Sequence, residues 1–349
     1  MTDSAAVFRA PRAANGDEAA LAVRGLSVEF VTRDGIVKAV QDVDLTVPVG
    51  KTLAVLGESG SGKSVTAQTI MGLLDSPPGR ITAGEVWFEG VDLLSASPEV
   101  RREVSGEGLA MVFQDSLSAL NPVYTVGGQL AELLRVRRGL SRRAAWDRAV
   151  ELMAKVRIPA PERRAHDYPH QFSGGMRQRI MIALAIALEP RVLIADEATT
   201  ALDVTVQAQI MELLTELQRE NGMSLVLITH DLGVAAEVAD DVVVMYAGRV
   251  VEYGSVRELF ARPAHPYTRG LLRSVPRVDR QEATLWAIPG SPPNPLNLGV
   301  GCAFRTRCDV AIELCAVERP GLLALESAGT GSARVSACHR REEVLHAGA

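Results

Sequence analysis

The stretch that decides the fold is TLAVLGESGSGKS, residues 52–64. Its first part, TLAVL, is a continuous apolar run too short for a helix, so it predicts a buried β-strand. The next eight residues fit the pattern G-x-x-x-x-G-K-S and lead directly into a predicted helix over residues 65–74. A glycine-rich loop between a strand and a helix is the context that a phosphate-binding loop requires.

Each part of this loop supplies a contact that a nucleoside triphosphate needs. The glycines let backbone N–H groups turn inward around the phosphates, and the helix N-terminus adds a positive dipole. Lys63 can reach the terminal phosphates, and the Ser64 hydroxyl can ligate Mg²⁺. A Gly/Ser linker is the alternative, but the motif should occur by chance in roughly 0.4% of chains of this composition. The ATP-binding candidates in the loop are Gly57, Glu58, Ser59, Gly60, Ser61, Gly62, Lys63, Ser64 and Val65.

The sequence on both sides of the loop alternates between strands and helices. Alternation of apolar and polar residues over 22–30 and 39–47 predicts a half-exposed sheet. Three further apolar runs, RVLIAD (191–196), LVLIT (225–229) and VVVMY (242–246), predict buried strands. Helices are expected over 141–158, 173–188 and 204–221. Buried strands separated by helices indicate an α/β fold.

Several predicted strands lead into polar side chains at the sheet edge where α/β proteins bind ligands. Asp196 would hold Mg²⁺ through water, and Glu197 would act as general base on the attacking water. His230 could reach a γ-phosphate. Gln114, also an ATP-binding candidate, could bring an amide oxygen to Mg²⁺ and the water. The alternatives are a solvated acidic pair, a structural histidine and an ordinary polar cap.

A second site for an anion is predicted at FSGGMRQ, residues 172–178. Paired glycines behind a capping Ser173 expose N–H groups at the start of a helix. One nucleotide cannot easily use both sites within a single subunit, so the simplest arrangement is a head-to-tail dimer with each nucleotide between two chains. A helix cap without a ligand is the alternative.

Composition excludes several classes of protein. The 349 residues contain 37 Lys and Arg against 42 Asp and Glu, and this net charge of −5 argues against binding to nucleic acid. No window approaches 18 uninterrupted apolar residues, so we expect no transmembrane helix. Residues 1–18 lack the features of a secretory signal, so we expect a flexible tail there and a cytoplasmic protein.

Taken in order, GESGSGKS, Gln114, FSGGMRQ, LIADE, Ala201-Leu202-Asp203 and His230 resemble the ATP-binding cassette (ABC) ATPases over about residues 21–255. The resemblance implies a mostly parallel core sheet with an antiparallel β subdomain and a helical subdomain at about 115–172.

The resemblance also implies a role for each motif. ATP would lie between the loop of one subunit and the signature residues of its partner, with Glu197 as base, His230 as the γ-phosphate switch and Lys63 as the third catalytic residue. The segment FQDSLSALNP, 113–122, would meet the coupling helix of a membrane subunit. The signature residues are Ser173, Gly174, Gly175 and Met176; the D-loop residue is Asp203; and the Mg²⁺ ligands are Ser64, Gln114 and Asp196.

Three segments beyond the cassette resemble the C-terminal region of oligopeptide and dipeptide importer ATPases, a region that nickel importers share. They are HPYTRGLL (265–272), IPGSPPN (288–294) and CAFRTRC (302–308). The expected domains are therefore a tail (1–18), an ABC nucleotide-binding domain (19–255) and a small Cys-containing C-terminal extension (256–349).

The family implies an ATPase that couples ATP hydrolysis to import of oligopeptides or dipeptides. Its expected partners are two permease subunits at the cytoplasmic face of the membrane, an extracytoplasmic binding protein and a second ABC ATPase, with a heterodimer favoured over a homodimer and no nucleic acid. The alternatives are an importer of nickel or another small solute, or a non-transport ABC ATPase.

All the cysteines, Cys302, Cys308, Cys315 and Cys338, lie in the last fifth of the chain. In a cytosolic protein this clustering favours a metal over a disulfide. Because no C-x-x-C pair is present, a 4Fe-4S cluster is favoured over Zn²⁺, and the resemblance points the same way. Free thiols are the remaining alternative.

Overall fold

The computed structural model describes residues 19–114, 119–199, 202–274, 286–325 and 334–347. The predicted tail, 1–18, lies outside these residues.

The strands are β1 (Ala19–Thr32), β2 (Gly35–Pro48), β3 (Thr52–Leu56), β4 (Gly79–Phe88), β5 (Val91–Asp92), β6 (Leu109–Val112), β7 (Val192–Asp196), β8 (Ser224–Thr229), β9 (Asp241–Tyr246), β10 (Arg249–Ser255), β11 (Leu323–Ala324) and β12 (Val335–Ser336). The helices are α1 (Lys63–Ile70), α2 (Pro98–Glu107), α3 (Val126–Arg138), α4 (Arg142–Lys155), α5 (Pro161–Arg164), α6 (Gly174–Ile186), α7 (Val204–Asn221), α8 (Leu232–Val238), α9 (Val256–Ala261), α10 (Pro266–Ser274), α11 (Leu314–Val317) and α12 (Arg341–Ala347). Short 3₁₀ helices lie at Pro169–Gln171 and Arg305–Arg307.

The chain divides into two compact units. The first combines Met1–Ala96 with Ile228–Ala349, and the second is Ser97–Leu227. The chain passes back from the second unit to the first within β8.

The first unit contains an antiparallel sheet in the order β2-β1-β4-β5. In β2, Val43, Leu45 and Val47 are buried at alternating positions while their neighbours are not. This period of two places one face of the strand against the core, and it confirms the half-exposed sheet predicted from the sequence.

The strand before the phosphate-binding loop lies in a second sheet of the first unit. All five residues of β3 are buried, and the strand pairs in parallel with β9. The sheet continues with antiparallel pairs from β9 to β10, β12 and β11. Burial on both faces explains why the sequence of β3 is apolar throughout.

The second unit combines the parallel pair β6 and β7 with a group of helices. In α4, the buried residues Ala145, Ala149, Leu152 and Met153 form one face, as predicted, and Ser141 caps its N-terminus. Helix α7 begins and ends at the predicted residues.

Helix α1 is shorter than predicted. It ends at Ile70 rather than at residue 74, because Gly72 adopts a left-handed conformation (φ +69°) that stops the helix.

The C-terminal extension packs into the first unit. β12 pairs with β10, and Phe304 belongs to the same apolar cluster as Leu56, Val244 and Tyr267. A separate Cys-containing domain is therefore not confirmed.

No helix among the described ranges is both long and apolar enough to cross a bilayer.

Candidate functional site

The phosphate-binding loop is shaped by glycines in conformations that other residues rarely adopt. Gly57, Gly60 and Gly62 have φ values of +151°, +77° and +102°. A Cβ atom at Gly57 would lie 2.3 Å from the carbonyl oxygen of Met245, and one at Gly62 would lie 2.6 Å from that of Ala39. The loop thus needs glycine both for its turns and for close approach to the neighbouring backbone.

Lys63 opens α1 and reaches back across the loop. Its buried ammonium group donates to the carbonyl oxygens of Gly57 (2.7 Å) and Glu58 (3.0 Å) and to Ser61 Oγ (3.4 Å). Ser64 and Val65 follow in the first turn of the same helix. This places a fixed positive charge and a hydroxyl at the helix N-terminus, where phosphates bind.

Glu58 is held by side chains that the sequence reasoning did not include. Its N–H donates to the hydroxyl of Tyr267 (2.8 Å), and its carboxylate forms a bidentate ion pair with Arg307 (2.7 and 2.9 Å). These residues are 209 and 249 positions from Glu58. A single sequence carries no signal for contacts over such separations.

In the second unit, the end of β7 places Asp196 and Glu197. Asp196 is buried, and Glu197 is half-buried with a left-handed backbone (φ +46°). Such strain in a non-glycine residue is typical of functional sites. The Gln114 side chain follows β6, and its Nε2 donates to Glu197 Oε2 (2.9 Å). The structure therefore brings Gln114 and Glu197 together.

The second anion-binding candidate is a helix N-terminus in the second unit, where Ser173 is exposed and residues 174–176 are half-buried. Ser173 Oγ caps α6 by accepting the N–H of Met176 (3.4 Å). A Cβ atom at Gly175 would lie 2.6 Å from Val206 Cγ1, while one at Gly174 would make only ordinary contact with Leu202. Asp203, the predicted D-loop residue, caps α7 by accepting the N–H of Val206 (2.9 Å).

His230 lies directly after β8 and is exposed in the first unit. The loop residues and His230 therefore belong to the first unit, whereas Gln114, Asp196, Glu197 and the signature residues belong to the second.

The residues predicted to bind Mg²⁺ suit that ion chemically. Ser64, Gln114 and Asp196 offer a hydroxyl, an amide oxygen and a carboxylate, all of them the hard oxygen donors that Mg²⁺ prefers. Because Gln114 donates its amide nitrogen to Glu197, its amide oxygen is the atom that would ligate Mg²⁺.

The prediction of a 4Fe-4S cluster, with Zn²⁺ as alternative, is wrong. Over the described ranges, which include every cysteine, no group of three or more His, Cys, Asp or Glu could hold a metal ion. Cys302, Cys308, Cys315 and Cys338 are free. Burial raises the pKa of Cys308 and of Cys338 to about 11, and it raises that of Cys302 as well. These thiols therefore stay protonated at neutral pH, which disfavours the thiolates that such a site needs.

Two family models match the chain. The one described as ABC transporter matches residues 40–200, and the one described as Oligopeptide/dipeptide transporter, C-terminal region, matches residues 251–315.

Known proteins resemble the chain over most of its length. The oligopeptide transport ATP-binding protein OppD of Salmonella typhimurium is 47% identical, covering 99% of this chain and 100% of the relative. The dipeptide transport ATP-binding protein DppD of Bacillus subtilis is 49% identical, covering 87% and 91%. A solved ATP-binding cassette, dimeric in a post-hydrolysis state with ADP and Pi, matches with a TM-score of 0.61 at 28% identity, covering 68% of this chain and 99% of that one.

Proposed function

This chain belongs to the ABC transporter family of ATPases, and we propose that it is the ATP-hydrolysing subunit of a membrane importer for oligopeptides or dipeptides. The observation that carries the peptide assignment is the match of residues 251–315 to the oligopeptide/dipeptide C-terminal region. The names of OppD and DppD, which align with nearly the whole chain, support the same substrate class.

The chemistry we assign is hydrolysis of ATP, in which water attacks the γ-phosphate and releases it from ADP. Lys63 binds the terminal phosphates together with the loop N–H groups. Glu197 takes a proton from the attacking water, and Gln114 orients that water from its hydrogen bond to Glu197. His230 contacts the γ-phosphate and distinguishes ATP from ADP.

Mg²⁺ would be held by Ser64, Gln114 and Asp196, where it would neutralise charge on the phosphates. The protein contributes the oxygen donors and the rigid strand end that carries Asp196.

The active form we propose is a head-to-tail dimer. The N-terminus of α6, with Ser173, Gly174, Gly175 and Met176, would bind the phosphates of a nucleotide held by the partner's loop. The dimeric cassette with bound ADP and Pi supports this arrangement. We favour a second, related ATPase as the partner over a second copy of this chain.

The membrane partners we propose are two permease subunits, which would place the chain at the cytoplasmic face, and an extracytoplasmic binding protein would deliver the peptide. Of the predicted permease-contacting segment, 113–122, residues 115–118 lie outside the described residues. The two residues that follow this segment support a docking surface for a permease. Val123 and Tyr124 there are 70% and 56% exposed, although both are apolar. Gln129 fixes the backbone beneath them by donating to the carbonyl oxygens of Asn121 and Tyr124.

ATP hydrolysis is tested first with a matched pair of lysine variants. Lys63→Ala should lower phosphate release by at least about a hundredfold, because it removes charge stabilisation at the transferring phosphate. Lys51→Ala is the control, since Lys51 is exposed, lies just before β3 and forms an ion pair with Asp240. Equal activity in the two variants would contradict the ATPase assignment.

Import is tested by purifying the tagged chain from its native membranes in mild detergent. We expect two multi-span permeases and a second ABC ATPase to co-purify. The complex, reconstituted in vesicles, should take up labelled di- and oligopeptides when ATP is supplied. Uptake of nickel without peptide would reassign the substrate, and recovery of the chain with nucleic acid and without permeases would overturn the transport assignment.

A further inference from the structure

Two of the three C-terminal segments singled out in the sequence contact one residue of the phosphate-binding loop, and the third contacts Arg307. HPYTRGLL supplies Tyr267, IPGSPPN supplies Pro289, and CAFRTRC supplies Arg307. All of them lie in the same compact unit as Glu58, the second residue of the loop. The roles assigned above to ATP chemistry use none of these segments.

Arg307 makes the strongest of these contacts. Its guanidinium donates through Nη1 and Nη2 to the two carboxylate oxygens of Glu58, at 2.7 and 2.9 Å. The Arg307 side chain is only 3% exposed and that of Glu58 is 27% exposed. A bidentate pair fixes both the position and the orientation of the carboxylate. The ion pair raises the pKa of Arg307, so the charge on the guanidinium is permanent.

The guanidinium is itself locked in place. Its Nε donates to the carbonyl oxygen of Pro289 (3.1 Å) and its Nη1 donates to the hydroxyl of Tyr246 (3.3 Å). Its Cζ lies 5.9 Å from the ring centroids of both Tyr246 and Phe304. Because Tyr246 and Phe304 are buried, they hold Arg307 in the orientation in which all these contacts are made.

Tyr267 fixes the backbone of the same loop residue. Its hydroxyl accepts the N–H of Glu58 at 2.8 Å, and the ring is fully buried against Tyr246 and Phe304. The N–H of Tyr267 donates to Nδ1 of His265 (3.0 Å), which anchors the start of α10.

Every polar group of Glu58 is therefore held. Its N–H is bound by Tyr267, its carbonyl oxygen by Lys63, and its carboxylate by Arg307. A carboxylate on this loop would repel a bound triphosphate unless its charge were neutralised. Arg307 supplies that neutralisation and Tyr267 sets the direction of the peptide, so both affect the geometry and the potential that phosphates meet.

We propose that the C-terminal region is a positioning element for the nucleotide, with Arg307 and Tyr267 holding Glu58 so that the loop binds a nucleoside triphosphate tightly. Arg307 and Tyr267 are positioning residues, since they act through Glu58. This inference rests on the proposed ATPase function, and it assigns the C-terminal region a part in ATP binding.

The test compares two buried arginines of the same region. Arg307→Gln should raise the KM for ATP, and the Kd of a fluorescent ATP analogue, by about tenfold or more, because an unpaired carboxylate remains in the loop. The change in kcat should be smaller. Arg269→Gln is the control: the Arg269 guanidinium donates to both carboxylate oxygens of Asp309 at 2.9 Å, and Asp309 lies outside the loop. Its KM should stay within about twofold of wild type even where its Tm falls equally.

Three further variants separate charge from structure. Glu58→Gln added to Arg307→Gln should restore most of the ATP affinity, to within about threefold of wild type, because the unpaired charge is gone. Tyr267→Phe should raise the KM by about fivefold or more, because the Glu58 N–H loses its acceptor. Arg307→Lys should bind ATP more tightly than Arg307→Gln but less tightly than wild type, because lysine keeps the positive charge and cannot bind the carboxylate in a bidentate way.

An Arg307→Gln protein with a KM for ATP within twofold of wild type would overturn the proposal, as would a double variant no better than the single one. Failure of the proposed function is a different result. In that case the wild-type chain would show no hydrolysis that Lys63→Ala abolishes, whatever Arg307 does.

Discussion

At the scale of single residues, Gly57 and Gly60 allow steric clash to be separated from backbone strain within one loop. Both have positive φ, but a Cβ at Gly57 would meet the Met245 carbonyl oxygen at 2.3 Å, while nothing lies within 4 Å at Gly60. Gly60→Ala should cost only the strain of a left-handed alanine, about 1–2 kcal/mol. Gly57→Ala should cost about 1–3 kcal/mol more, because the β3–β9 pair must shift.

Thermal unfolding of the two variants checks this expectation. A lower Tm for Gly57→Ala than for Gly60→Ala is expected, together with weaker ATP binding. Equal Tm values would mean that the loop relaxes without disturbing β9.

His265 makes stability depend on pH. Burial lowers the pKa of His265 to about 3, from 6.5 when unfolded, so the folded protein keeps the ring neutral with Nδ1 as acceptor. Because the unfolded chain binds this proton more readily, the contribution is fully present above pH 6.5 and is lost as the pH falls toward 3. At pH 5 the loss should be about 2 kcal/mol.

The measurement is the difference in unfolding free energy between pH 7.5 and pH 5 for wild type and His265→Asn. The asparagine carbonyl can accept the Tyr267 N–H without titrating, so the variant should lose less stability on acidification. The nearby buried Glu252, whose carboxylate accepts the N–H groups of Ala264 and His265, and its partner Arg334 are present in both proteins. The contribution of Glu252 therefore cancels in the comparison, and equal pH dependence would show that His265 does not resist protonation.

At the scale of elements, the N-termini of α4 and α6 are capped in the same way but differ in assigned function. Ser141 Oγ accepts the N–H of Ala144 (3.2 Å), and Ser173 Oγ accepts that of Met176 (3.4 Å); both serines are exposed. Replacing either with alanine should cost about 1 kcal/mol of stability. Only Ser173→Ala should also lower ATPase activity, because only α6 faces the partner's nucleotide in the proposed dimer. The measurement is the rate of phosphate release of the Ser141→Ala and Ser173→Ala proteins, together with the Tm of each. If both variants lose the same Tm and keep the same activity, Ser173 has a capping role alone.

Elements whose ends carry local signals could be predicted from the sequence. Asp203 and Gly222 mark the two ends of α7, and the structure places a side-chain cap and a left-handed residue at those positions. The phosphate-binding loop could be predicted for the same reason, since its residues are contiguous. The early stop of α1 was missed because Gly72 lies inside an otherwise helical pattern.

Contacts between distant elements could not be predicted in this way. Tyr267 and Arg307 meet Glu58 across more than 200 residues, and periodicity reports nothing about such pairs. The cysteine spacing was misleading for a related reason: spacing does not reveal burial, and burial is what keeps Cys308 and Cys338 protonated.

At the scale of the whole molecule, nucleotide binding should control assembly. Glu197→Gln should lower hydrolysis by about 10²–10⁴-fold, because the water loses its base, while ATP still binds. The bound ATP should then hold two ATPase subunits together, and light scattering should show the mass of a dimer with ATP and of separate subunits with ADP.

The identity of the partner subunit determines which sample should show the dimer mass with ATP. If this chain pairs with a related ATPase, the mass should rise with ATP only after the two are co-expressed; if it pairs with itself, the single chain suffices. Adding Ser173→Arg to Glu197→Gln is the control, since a bulky cation at the N-terminus of α6 should block the partner's phosphates and keep the subunits apart. A dimer that forms equally with and without ATP, or that survives Ser173→Arg, would mean that the nucleotide does not lie between two subunits, and the loop and the signature residues would then need separate roles.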